Sequence, residues 1–217
     1  MNANHEADLR QARHAITEAD LAALHDRLPA VTEAELAALR GRLAERADAE
    51  GLLDVAYRTL DTPVGALLLA ATPDGLIRVA YSIEGHEQVL ENLAARISPR
   101  ILNAPRRLDE AAHEIDEYFA GQRRTFDLPL DYRLATGFRR EVLGHLPGIG
   151  YGTTASYATV AAAVGRPRAF RAVGTACATN PLPVVLPCHR VIKSDGDLGN
   201  YRGGPAVKQF LLDLEAA

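Results

Sequence analysis

Leucines recur at helical spacing through the first fifty residues: Leu21, Leu24 and Leu28, then Leu36, Leu39 and Leu43. Each set makes one apolar stripe on a helix. The surrounding stretches, "ITEADLAALHDRL" (16–28) and "VTEAELAALRGRL" (31–43), repeat one another at a shift of fifteen. Thr17 and Thr32 stand ahead of each run with Asp20 and Glu35 three residues on, which is the pattern of a capping box. Ile16 can staple to Leu21 and Val31 to Leu36, while Pro29–Ala30 separates the copies. The pattern predicts a short helical hairpin over residues 1–50, read as a packing extension or tether, with partner binding as the alternative.

The texture changes at Gly51. "LLDVAYRTLDT", "GALLLAAT" and "GLIRVAYS" are short apolar runs punctuated by Pro63, Gly65 and the turn "TPDG". They predict an antiparallel meander. Helices are expected around 87–97 and 108–119, then a strand at "TFDLPLD" (125–131), so that residues 51–131 form a small α+β domain.

After Asp131 the spacing turns helical again. "GFRREVLGHL" (137–146) puts Phe138, Val142 and Leu146 on one face, and "SYATVAAAVG" (156–165) has Ser156 as cap and Gly165 as stop. Pro167 is expected to open a second helix through "PRAFRAVGTACATN", and so tight a connection suggests a helix-turn-helix in residues 132–217. No charged residue lies between Arg171 and His189, and the exposed positions offer Gly174, Thr175 and Ala178. A helix that reads major-groove bases needs Arg, Asn or Gln at its contacts. Small side chains suit sequence-blind docking in a minor groove, with Arg171 as the one inserted side chain.

Charge supports a polyanion only in that last third. The chain carries 24 Lys+Arg against 28 Asp+Glu, yet residues 131–217 hold 10 basic and 6 acidic side chains. The excess is also what a slightly basic solvated surface would show. No apolar run is long enough to span a membrane, and the N-terminus lacks a secretory apolar core, so a cytoplasmic setting is expected. The two cysteines, Cys177 and Cys188, form no disulfide framework and lack metal-site spacing; no metal and no cofactor are expected.

The candidate chemistry sits in "VVLPCHRVI" (184–192). Three prolines in "NPLPVVLP" stiffen the approach to Cys188, and rigid placement suits a nucleophile. A thiol near its free pKa is mostly protonated at neutral pH, so it needs a base. His189 is adjacent, and Glu215, at the end of the helix "PAVKQFLLDLE", is the candidate to orient it. Val207, Phe210, Leu211 and Leu214 would dock that helix. A buried cysteine beside a surface histidine explains the same residues, and so does a cysteine hydrolase.

"GTTASYATVA", "RAVGTACATNPLPVVLPCHRVI", "GNYRGG" and "VKQFLLDLE", in that order and with those gaps, resemble the methylated-DNA–protein-cysteine methyltransferases. The meander, with "YRTLDTPVGALLLAAT", is more loosely similar to that family's ribonuclease-H-like N-terminal domain; residues 1–50 match nothing in it. The resemblance implies an α+β protein: a helical hairpin extension, a small ribonuclease-H-like domain and a helix-turn-helix catalytic domain.

It further implies DNA repair by stoichiometric transfer of a methyl or other alkyl group from O6 of guanine, with O4 of thymine as a second substrate, to Cys188. The partner would be alkylated double-stranded DNA held through its minor groove, with no membrane and no small-molecule cofactor. His189 would take the thiol proton through water, Glu215 would hold the imidazole, and Asn180 would brace the turn. Tyr157 would donate to the leaving base. Arg171 would fill the space left by the flipped nucleotide, with Gly174, Thr175 and Ala178 against the DNA. Tyr201, Pro183, Val191 and Arg202 would line the pocket. Arg190 would be a structural or phosphate-facing cation. Leu143, Gly150 and Arg202 depart from the family's common residues, and Arg202 would narrow or recharge the pocket rim. A relative that binds alkylguanine without reacting lacks the acceptor cysteine, which Cys188 supplies here.

Overall fold

A computed structural model describes residues 32–217. The first copy of the repeat, residues 16–28, lies outside the described residues. Two compact units divide between Arg40 and Gly41.

Helix α1 (Glu33–Ala49) begins with the expected reciprocal cap. The Thr32 N–H donates to Glu35 at 2.9 Å and the Glu35 N–H to Thr32 Oγ1 at 3.2 Å. The leucine stripe is not the face that packs. Leu39 and Leu43 are exposed, and Ala44 is buried instead, with Ala47 partly so. Glu45 and Asp48 explain the rotation, because they pair with Arg106 and Arg107 and fix the small-residue face inward.

Strands β1 (Val55–Leu60), β2 (Leu67–Thr72) and β3 (Gly75–Tyr81) form the expected antiparallel meander. A three-residue strand β4 (Ile101–Asn103) adds in parallel to β1, giving the order β3-β2-β1-β4. Alternation along β2 divides the sheet between two cores. Leu68 and Ala70 face Val89 and Leu93 of helix α2 (His86–Arg96). Leu67 and Leu69 face the larger core, which includes Ile115 and Tyr118 of helix α3 (Asp109–Phe119) and continues into the C-terminal helices. The sheet is therefore buried on both sides, which explains its nearly unbroken apolar runs.

The strand expected at 125–131 does not form. The segment meets the sheet by a single bridge, Leu130 to Leu76, with Pro129 O accepting from Leu76 N. Pro129 cannot donate to a ladder. Gly75 permits the approach: its φ is +136°, and a Cβ there would stand 2.3 Å from the Pro129 carbonyl oxygen.

The remaining helices are α4 (Phe138–His145), α5 (Tyr157–Ala163), α6 (Phe170–Ala178) and α7 (Pro205–Ala216), with short strands β5 (Ala155–Ser156) and β6 (Val191–Ile192) paired in parallel. Ser156 caps α5 by accepting from Thr159 N at 3.0 Å. The helix stops at Gly165 (φ +73°), where the Arg166 N–H reaches Ala161 O and the Gly165 N–H reaches Ala162 O. Helix α6 starts at Phe170, three residues later than Pro167 suggested, because Arg166–Ala169 closes its own turn first. Among the described residues no helix is long and apolar enough to cross a membrane.

Candidate active site

The chain leaves α6 through Thr179 and enters a buried segment, Asn180–Arg190. Val184 in it has φ +72°, the only non-glycine with positive φ among the described residues. A β-branched residue reaches that region only when its surroundings impose it. Asn180 supplies much of the constraint: Leu182 N donates to its Oδ1 at 2.9 Å, and its amide nitrogen donates to Leu186 O at 2.9 Å. The same nitrogen lies 3.1 Å from Cys188 Sγ. From the other side β3 holds the turn, with Val79 N on Pro181 O at 2.9 Å and Arg78 Nη1 on the same carbonyl at 3.1 Å.

Cys188 opens a 3₁₀ turn through Arg190 and is 2 % exposed. Burial pushes its thiol up to about 11, against the opposing pull of the Asn180 amide, Lys208 and Arg202. The sulfur is therefore a protonated thiol at neutral pH and requires a base. His189 is wholly buried, and burial lowers its pKa despite Glu215, so the imidazole is neutral and able to accept a proton. Its Nε2 bonds Glu215 Oε1 at 2.8 Å. A carboxylate only accepts, so Nε2 carries the ring proton and Nδ1 is the basic nitrogen. Nδ1 is buried and has no hydrogen-bond partner.

Glu215 is the most heavily bonded side chain of the site. Arg190 grips it with Nε on Oε2 at 2.8 Å and Nη2 on Oε1 at 2.9 Å, while Nη1 reaches Ile149 O at 2.6 Å. Tyr118 donates to Oε1 at 2.7 Å and Gly152 N to Oε2 at 3.2 Å. Burial alone would raise this carboxyl, but the bonds from His189 and Arg190 outweigh it and hold it at about 2. Of its two candidate roles, then, Arg190 fits the structural one: it is buried, with its guanidinium bonded to Glu215 and the Ile149 carbonyl.

Helix α7 docks through Lys208, Leu211 and Glu215, one face at i, i+3 and i+7. Phe210, expected to dock, lies at the exposed edge. Lys208 has no exposure; its ammonium donates to Val191 O at 2.6 Å and to Leu198 O. Val191 is thus fixed at its main chain while its side chain is buried in the core.

Tyr201 Oη lies 2.8 Å from Tyr81 Oη of β3. Arg202 is drawn to Glu84 at 3.0 Å, and Glu84 also pairs with Arg78. Pro183 is buried in the strained segment. Tyr157, half-buried at the start of α5, runs past Gly174 and Gly199; a Cβ on Gly199 would stand 2.9 Å from its hydroxyl. Burial, then the Cys177 and Cys188 thiols, push that hydroxyl up to about 12, which keeps it a donor. On α6, Arg171, Thr175 and Ala178 are exposed and Gly174 half-buried, beside an exposed Phe170.

Asn180 with Cys188 and His189 with Glu215 are therefore two bonded pairs made adjacent by the chain at 188–189, Tyr201 lies edge-on to His189, Tyr157 starts α5, and Arg171 lies apart on the exposed face of α6. Sequence reasoning missed Tyr118, Tyr81, Lys208 and the Arg78–Glu84 pair. Only Lys208 left a signal, a lysine at an inward position of an amphipathic helix.

Two family models match the chain: the 6-O-methylguanine DNA methyltransferase ribonuclease-like domain over residues 55–132 and the DNA binding domain of the same family over residues 137–217. The constitutive methylated-DNA–protein-cysteine methyltransferase of Bacillus subtilis is 40 % identical, over 73 % of this chain and 94 % of its own. That of Methanosarcina barkeri is 37 % identical, over 73 % and 96 %. The crystal structure of Mycobacterium tuberculosis OGT in complex with DNA superposes with a TM-score of 0.66 at 37 % identity, covering 74 % of this chain and 92 % of that one. With both domains matched and relatives of 37–40 % identity covered almost end to end, this chain belongs to the methylated-DNA–protein-cysteine methyltransferase family.

Proposed function

We propose that the chain repairs alkylated duplex DNA by moving the alkyl group of O6-alkylguanine onto its own Cys188. The observation that carries the reading is the buried thiol, bonded to Asn180, next to a neutral imidazole that Glu215 orients. His189 Nδ1 takes the thiol proton through a water. The sulfur then attacks the alkyl carbon in line; the S–C bond forms as the C–O6 bond breaks, and the pair left on guanine is protonated at the ring. Tyr157 donates to that leaving base as its charge develops. The product is an S-alkylcysteine, so each molecule acts once.

An alkyl carbon inside a duplex is out of reach, so the nucleotide must rotate into the pocket at a cost of a few kcal/mol. Helix α6 offers the means: small residues Gly174, Thr175 and Ala178 admit a minor-groove wall, and Arg171 replaces the lost stacking. Residues 132–217 form the DNA-binding and acceptor domain, residues 51–131 support it, and residues 1–50 are an extension. Pro183, Val191, Tyr201 and Arg202 bound the pocket, and the Arg202–Glu84 pair sets one side of its rim. A cytoplasmic setting suits two unpaired cysteines.

Intact-mass measurement after incubation with O6-methylguanine duplex tests the reading. One added methyl per molecule, on the peptide bearing Cys188, is expected, and Cys188→Ala should bind DNA without gaining mass. Complete repair by protein of unchanged mass would overturn it.

A further inference from the structure

The network around Glu215 contains a group from outside the catalytic domain. Tyr118 ends helix α3 of the ribonuclease-like domain, 97 positions before Glu215, and has no solvent exposure. Its hydroxyl donates to Glu215 Oε1 at 2.7 Å and stands 3.4 Å from His189 Nε2. Oε1 thus accepts from three donors at once: Tyr118, His189 and Arg190. The ring is fixed independently, edge-on to Phe119 and Tyr151 and tilted against Phe126. The hydroxyl is therefore held in place by packing that does not depend on the bond it makes.

We propose that Tyr118 is a positioning residue for the transfer reaction: by sharing Glu215 Oε1 with His189, it fixes the carboxylate and limits how strongly that oxygen holds the imidazole. The inference rests on the reading of Cys188 as acceptor and His189 as base. A carboxylate oxygen with fewer donors carries more negative charge toward its remaining partners, and a more negative neighbour favours the protonated imidazole. Removing the hydroxyl therefore raises the basicity of His189.

The other groups facing His189 set the background. Arg190 and Lys208 oppose its protonation, Glu215 favours it, and burial opposes it most. Tyr201 presents its ring edge-on at 6.5 Å, and Cys188 is a neutral thiol. Among these Tyr118 is the one uncharged hydroxyl bonded to the orienting oxygen. Burial, and then Glu215, raise its own pKa, so it stays a proton donor across the working range.

Tyr118→Phe keeps the ring and deletes the bond. Single-turnover transfer from methylated duplex would be followed against pH, with Cys188 methylation read by mass at the end point. The acid limb of the rate profile should move to higher pH by about half a unit to one unit, with methylation still complete and the high-pH rate within about threefold of the parent. Site-specific 3-fluorotyrosine at 118, a stronger donor, should move the limb the other way and does not depend on the Phe variant being stable. An unmoved midpoint in both variants, whatever happens to the overall rate, overturns the inference and leaves Tyr118 a core residue. Absence of methyl on Cys188 in the parent protein overturns instead the reading beneath it.

Discussion

Asn180→Ala separates the two tasks of one buried amide. The substitution leaves the buried Leu182 N–H without a partner and the Leu186 carbonyl with the Cys188 N–H alone. The orphaned N–H costs about 1–3 kcal/mol and the lost bond to the carbonyl about 0.5–1.5 kcal/mol, so folding should lose about 2–4 kcal/mol. For a chain of this length 1 kcal/mol moves the melting temperature by about 2–4 °C, which gives a fall of roughly 5–15 °C. Arg78 still holds the Pro181 carbonyl from β3, but Asn180 is the side chain that spans the strained Val184 turn from Leu182 to Leu186, so the loss should concentrate there. The rate suffers separately. The amide nitrogen 3.1 Å from Sγ is a donor to the sulfur as it ionises, and a bond to a charged group contributes about 1.5–3 kcal/mol, or about 10- to 100-fold in transfer.

The chain has no tryptophan, so far-UV circular dichroism in urea is the stability readout, and rapid-quench transfer from labelled duplex is the rate readout. Asn180→Asp keeps an acceptor for Leu182 N but puts a negative charge beside the thiolate, so its rate should fall further than that of the alanine variant. If the alanine variant melts early but transfers at the parent rate, the amide is a brace only. If it neither melts early nor slows, the hydrogen bonds do not contribute as assigned.

Arg171→Ala should slow repair of duplex well beyond its effect on attack of free O6-alkylguanine, because only duplex requires extrusion; equal losses remove Arg171 from that role. Gly152 has φ +72°, and a Cβ there would stand 2.7 Å from Glu215 O. Gly152→Ala should therefore cost about 1–3 kcal/mol of stability in thermal melts and slow transfer by displacing the end of α7. Stability should also fall with acid in two stages. His189 has a folded pKa below its unfolded value near 6.5, so unfolding takes up a proton and stability declines as pH falls below about 6.5. Glu215, held at about 2 against 4.5 unfolded, adds stability that is present above about 4.5 and lost toward about 2. The gap in urea midpoint between parent and Glu215→Gln should be widest near neutrality and close as pH falls through that window.

The parts of the fold legible in the sequence are those governed by local spacing. The alternation that sends Leu67 and Leu69 one way and Leu68 and Ala70 the other is a period of two read directly from the chain. Ser156 with Gly165, and Thr32 with Glu35, announce helix ends because capping is a contact within a few residues. Strand β4 was not legible: three residues with no period of their own are recruited by β1. Leu39 and Leu43 misled because apolar spacing identifies a helix face without saying what lies opposite it. The candidate site divides in the same way. Cys188 and His189 are adjacent in sequence, and Glu215 is the acid that the C-terminal amphipathic helix offers to orient the base. Tyr118 and Tyr81 contribute one hydroxyl each from positions about a hundred residues away, and nothing in their local sequence marks them.

The buried, protonated sulfur bears on a hazard of the proposed single transfer, in which a stray alkylation would spend the molecule. Burial raises the thiol well above its ordinary range, so at neutral pH it is overwhelmingly protonated. A buried thiol in that state is a poor target for peroxides and soft electrophiles, which react with the thiolate. On the proposed reading it is the damaged base, with His189 as base, that calls up the nucleophile, so selectivity is as much about what the sulfur ignores as about what it attacks.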